Sequence, residues 1–249
     1  MEIHILNGDA LKEQFPPSIS GEIIVMRECL VDGQPRGDSL EQLLDNRMEF
    51  FAKIYGVTAE DYRRKTIPEI ERIRRIPATA RVNLWFEDDL FCQVNLWFTS
   101  FLLSEFTQVA DVRLVRPEGP IQYGFGGMDQ PALIKAYESA QTIDGDELEQ
   151  MTRLWQCYQR GEHATMTGIA ARYQARLPFL VEAVKAERER YPEDDRPGRP
   201  QRTIRALMEE LGSEQFGPVF RAFHERESIY GYGDLQVRRL FDAVKAGRS

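Results

Sequence analysis

Three consecutive carboxylates, Glu87, Asp88 and Asp89, interrupt an otherwise apolar stretch running from Arg81 to Phe98 (RVNLWFEDDLFCQVNLWF). Two more, Asp9 and Glu28, each follow a short apolar run of their own. If those runs are strands of a parallel sheet, the loops after them share the carboxyl edge, where open α/β sheets bind ligands. Two or three carboxylates around one point suit a cation that prefers oxygen, such as Mg2+ or Mn2+. If their surroundings drive their pKa values apart, one becomes a general acid and another a general base. A structural assignment competes with both. Asp9 and Asp89 stand where helix N-caps belong, and Glu28 can pair with Arg27 or another base. The sequence leaves open whether a metal or other cofactor is held here, and whether the protein is an enzyme.

Other polar residues fall on the same edge. Asn7-Gly8-Asp9 suits a tight strand-to-helix turn whose N–H groups could face an anion. Arg27 can grip a phosphate or carboxylate bidentately. Gln93 lies four residues beyond Asp89, one helical turn along the same face. The candidate ligand-binding set is therefore Asn7, Gly8, Asp9, Arg27, Glu28, Glu87, Asp88, Asp89 and Gln93. The expected ligand is small and polar or phosphorylated, nucleotides included. No G-x-G-x-x-G and no P-loop lysine pattern occurs. Gly124-Phe-Gly-Gly127 follows no good strand and reads as a loop.

Nucleophilic and zinc chemistry find little support. His4, His163 and His224 are scattered, with no zinc-ligand spacing and no Gly-x-Ser-x-Gly elbow, and read as ordinary structural histidines. Cys29 sits beside Arg27, which would lower a thiol pKa, yet an inert buried thiol is the commoner case. The aromatic residues Trp85, Phe86, Phe91, Trp97, Phe98 and Phe101 read as core.

The elements that must position these groups follow from periodicity. Residues 3–6, 22–26, 82–86 and 111–115 read as strands. Between them lie amphipathic helices, one opening at a Ser39/Gln42 capping box with Leu40, Leu43, Leu44, Met48, Phe51 and Tyr55 on one face. Shorter helices are expected near 59–64 and 68–75, and a buried one over 90–104. Strands alternating with helices through residue 117 define a three-layer α/β, Rossmann-like domain with a mainly parallel sheet. Gly119, Pro120 and Gly124 to Gly127 make a crossing into a helical region, 118–190, with no convincing strand and a kink at Pro178. Tyr191 to Pro200 is the best linker. Residues 200–249 then hold three short helices.

The 249 residues carry a net charge of −8, with 42% hydrophobic and 29% charged residues, ordinary for a globular protein. Three cysteines without close spacing argue against a disulfide framework. No apolar run reaches the length of a membrane span, and the N-terminus reads as a strand, not as a secretory signal. A cytoplasmic protein without membrane attachment is the default expectation, and the oligomeric state stays open.

Charge is uneven. Arg196 to Ser249 hold 10 Lys/Arg against 7 Asp/Glu, leaving 22 against 33 elsewhere. An acidic body disfavours nucleic-acid binding. The alternative function is therefore confined to residues 200–249, a unit of helix-turn-helix size with Arg238, Arg239, Lys245 and Arg248 near its end. A packing or partner role for that unit is the expectation preferred over nucleic acid.

The N-terminal Asn7-Gly8-Asp9, Arg27 to Gly33 (RECLVDG) and Leu84 to Leu96 (LWFEDDLFCQVNL) together resemble a bacterial domain family of unknown function, number eighteen thirty-five, over residues 1 to about 117. Gly231 to Leu240 (GYGDLQVRRL) is similar to the small helical domain that often accompanies it. Members usually carry His where this chain has Asp88, and Gly-Pro where it has Gly33-Gln34. The resemblance implies the α/β fold and brings no activity with it.

Overall fold

The computed structural model describes residues 1–33, 35–117 and 124–247. Gln34, Gly119, Pro120 and Arg248, singled out above, lie outside the described residues. The chain divides into two compact units. The first contains residues 1–87 and 92–162; the second contains residues 88–91 and 163–249.

The first unit is built on a five-stranded sheet of β1 (Glu2–Asn7), β2 (Glu22–Met26), β3 (Arg81–Trp85), β4 (Asp111–Val115) and β5 (Gln141–Ile143), in the order β2-β1-β3-β4-β5. The first four are parallel, with Ile5 opposite both Ile24 and Leu84, and Leu84 opposite Leu114. Their sequences are rich in Ile, Leu and Val on both faces, as a sheet covered on two sides requires. β5 runs antiparallel to β4. It is a strand within the region expected to be helical. Only three residues long, with Ile143 alone buried, it has too little alternation to stand out from its flanking helices.

On one face, Leu6, Trp85 and Val115 pack with Leu11 of α1 (Asp9–Gln14), Phe125, and Leu133 and Ala136 of α6 (Gln130–Glu138). Three elements follow β2: α2 (Leu40–Tyr55), α3 (Ala59–Lys65) and α4 (Ile67–Arg74). The opposite face meets α5 (Leu90–Phe106), whose residues 92–100 are all buried. Layers of helix, sheet and helix result, as the alternation of elements dictates. The expected capping of α2 is present: the Ser39 hydroxyl accepts from the Gln42 N–H, and Gly56 closes the helix in the left-handed conformation. α7 (Gly145–Arg160) begins with a full capping box between Asp144 and Glu147 and sets Trp155 against Phe98 of α5 at 4.8 Å between ring centroids.

In the second unit, the run expected to kink at Pro178 is two helices, α8 (His163–Tyr173) and α9 (Phe179–Glu189). α10 (Arg199–Leu211), α11 (Phe216–Arg226) and α12 (Asp234–Lys245) follow. Arg199 bonds Glu189 at 2.7 Å and Glu227 at 2.8 Å, so one guanidinium fastens the residues on either side of the 191–198 segment.

Candidate site at the switch point of the sheet

The strand order places a reversal between β1 and β3. The chain leaves β1 through α1 towards β2 on one side, and leaves β3 through α5 towards β4 on the other. In open α/β sheets the carboxyl end of such a reversal is where ligands enter. Asn7, the last residue of β1, stands there. Its amide Nδ2 donates to Cys92 Sγ at 3.0 Å, and its Oδ1 accepts from Asn95 Nδ2 at 2.8 Å. Asn95 also donates to the Glu28 carbonyl (2.7 Å) and accepts from the Leu30 N–H (3.3 Å). Gly8 follows at φ 102°, a backbone conformation that suits glycine.

Gln93 donates from Nε2 to the Glu87 carbonyl at 2.7 Å. Its Oε1 meets no partner among the described residues although the side chain is wholly buried. A buried amide oxygen left unbonded is costly and calls for an explanation. Trp97 Nε1, one turn further along α5, is likewise without a partner among the described residues, whereas Thr99 and Ser100 donate back to the carbonyls of Asn95 and Leu96.

Glu87 is committed to the backbone. Its Oε1 accepts from the Phe125 N–H at 2.8 Å. Residues Gly124–Gly127 form a 3-10 turn, with Gly124 at φ 53°, and a Cβ there would stand 1.9 Å from Glu87 Oε2. The Gly-Phe-Gly-Gly segment is thus the seat of the Glu87 carboxylate. Asp88 and Asp89 are half-buried and belong to the second unit. Within that unit Asp89 lies against Gly231, where a Cβ would be 1.9 Å from Oδ1.

Asp9 and Glu28 go elsewhere. Arg27 clasps Asp9 with two bonds of 2.8 Å, from Nε and Nη2, while its Nη1 donates to the Lys65 carbonyl and to Glu69. The guanidinium bonds hold the Asp9 carboxyl below its usual range, against a smaller opposing effect of burial. Glu28 is buried and receives Arg47 Nε (3.1 Å), the Cys29 N–H (3.1 Å) and the Tyr62 hydroxyl. Arg47 also donates to the carbonyls of Asp32 and Cys29, so this pair fixes the β2–α2 loop.

The three histidines and Cys29 have structural settings. His4 accepts from Trp85 Nε1 at 3.2 Å and bonds the Ser20 carbonyl through Nε2, which fixes a neutral ring. His163 lies beside Glu187, and His224 meets the Phe220 ring. Burial pushes the Cys29 thiol up to about 12, leaving it protonated and inert.

Of the sequence candidates, Asn7 and Gly8 stand in the cluster at the end of β1, Gln93 bonds the Glu87 carbonyl in the turn after β3, Asp9 pairs with Arg27, and Glu28 is buried beneath the following loop. Cys92 and Asn95 join the cluster without having been candidates, although the QVN triplet after the acidic turn contains the latter. Arg47 was also missed. Its signal is a charged residue at i+3 and i+4 from Leu44 and Leu43, on the apolar stripe of α2. Compared with family models, curated proteins and solved structures, the chain matches none.

Proposed function

We propose that the protein binds a small polar ligand, phosphorylated metabolites and nucleotides foremost, at the carboxyl edge of its sheet between β1 and β3. The observation that carries this reading is the reversal of strand order at a point lined by buried amides, where Gln93 Oε1 is an acceptor without a donor among the described residues. A ligand N–H or O–H supplied there would satisfy it. Asn7 and Gly8 end β1 and Glu87 follows β3 on the same carboxyl edge, and Arg27 follows β2, the adjoining strand, as a cation for an acidic group.

A thermal-shift screen of nucleotides and simple phosphorylated metabolites, with and without Mg2+, tests the proposal. A ligand at 100 times its Kd adds about 2.7 kcal/mol of stability. Gln93→Leu removes the unbonded acceptor together with the donor to the Glu87 carbonyl, so its own unliganded Tm should fall, and relative to that Tm the ligand-induced rise should be abolished. An unaltered rise in that variant would move the site elsewhere.

The nucleic-acid alternative has less behind it. Arg238 stacks on Phe216 with its guanidinium 3.5 Å from the ring centroid, and Lys245 pairs with Glu214 at 3.2 Å. Both of these basic residues are thus already engaged within the helical unit. Retention on DNA that falls with salt and disappears on charge reversal of Arg238 and Arg239 would restore that reading.

A further inference from the structure

We infer that the Arg27 guanidinium is an oxyanion-binding group held ready by the fold, and that Asp9 is its built-in competitor, covering it until a phosphate or similar oxyanion of a ligand takes its place. The inference rests on the ligand site proposed above and concerns how its charged end is occupied. Arg27 is prepared on its inner side: Nη1 is pinned by the Lys65 carbonyl at 2.8 Å and by Glu69 at 3.1 Å. Its outer edge, Nε and Nη2, is the two-pronged donor that matches a carboxylate or a phosphate. That edge is filled by Asp9 Oδ2 and Oδ1, both at 2.8 Å.

The two partners differ in how firmly they are held. The Arg27 side chain is 20% exposed and that of Asp9 is 53% exposed. Asp9 follows Gly8, and a Cβ on Gly8 would meet nothing within 4 Å, so the turn that carries Asp9 has open space around it. The half-exposed Asp9 carboxylate is therefore the member of the pair that solvent reaches and that another oxyanion can displace from the guanidinium. The surrounding charge favours an anion once Asp9 has left. Lys12 and Lys65 both act on the Asp9 carboxylate as attractive charges. Glu69, the other carboxylate on Arg27, is shared with Arg72 at 2.6 Å.

The test measures the gain in unfolding temperature produced by inorganic phosphate, with ionic strength held constant by chloride. If Asp9 occupies the guanidinium nine-tenths of the time, its removal tightens the apparent phosphate affinity about tenfold. Asp9→Asn should therefore respond to phosphate at about one-tenth of the wild-type concentration. Asp9→Asn combined with Arg27→Gln should not respond. Glu13→Gln removes a charge from the same short helix without uncovering Arg27, and should respond as the wild type does. An Asp9→Asn response no greater than wild type overturns the inference, as does an equal gain in Glu13→Gln or a response that survives loss of Arg27. These outcomes are separable from failure of the switch-point site, which is read from Gln93→Leu and the metabolite screen. A phosphate response confined to Asp9→Asn with no metabolite response would sustain the competitor and remove the larger site.

Discussion

At the scale of single residues, the deciding question for each carboxylate is what it already bonds. Glu28 and Arg47 are both almost wholly buried and paired at 3.0 Å. Breaking a buried pair from one side leaves a charge with no compensation, which typically costs about 3–5 kcal/mol. Arg47→Met should lower the urea-unfolding free energy by about that much, while Glu28→Gln combined with Arg47→Met should recover part of it. Additive losses in the double variant would show that the pair is not coupled. His4 gives a prediction in pH. Burial lowers its pKa below the ordinary 6.5, with the Ser20 carbonyl and the Glu2 charge opposing. The unfolded chain therefore binds the proton more readily. The contribution is complete above pH about 6.5 and is lost as pH falls from there through the folded-state pKa. Protonation also sets an Nδ1–H against the Trp85 N–H, two donors face to face. Replacing His4 with Leu should flatten the fall in stability over that window, and an unchanged slope would assign it to other groups.

At the scale of elements, β2 illustrates how an exposed sheet edge is closed. Its outer backbone groups have no neighbouring strand, and such edges invite pairing with another chain. Two side chains of α4 take the place of a strand. Glu69 Oε2 accepts from the Val25 N–H at 3.2 Å, and Arg72 Nη2 donates to the Ile23 carbonyl at 2.7 Å. In a parallel ladder one residue of a sixth strand would make those same two bonds to the groups flanking Ile24. Glu69→Ala leaves a largely buried N–H unpaired, so a loss of about 1–3 kcal/mol is expected. Hydrogen exchange at the Val25 amide should accelerate by more than at Leu6, which lies inside the sheet. Equal acceleration at both would mean global destabilisation and not an opened edge.

At the scale of the whole molecule, the second unit has an exposed segment from Tyr191 to Arg196 and a clamp across it, since Arg199 reaches both Glu189 and Glu227. A glutamate-specific protease should cut at Glu193, whose side chain is 83% exposed. The fragments should then stay together in native gel filtration and separate only in denaturant. Dissociation on cutting would make residues 200–249 an independent domain. Among the described residues no helix is long and apolar enough to cross a membrane. The amino-acid sequence by itself determined the local pieces. The four parallel strands and α2 with its Ser39 cap are legible because alternation, helical period and capping act between residues a few positions apart. It also brought Asn7, Glu87 and Gln93 to one edge, since each ends a strand or opens the helix after one. The tertiary structure alone decided the partners. Asn7 meets Asn95, Glu28 meets Arg47, Arg27 meets Asp9 and Glu87 meets Phe125 across separations of 88, 19, 18 and 38 residues. β5 likewise gains its place from β4, not from a pattern of its own. A carboxylate has the same one-letter code whether it waits for a ligand or is already bonded, and only the packing of distant segments supplies the group that makes the difference.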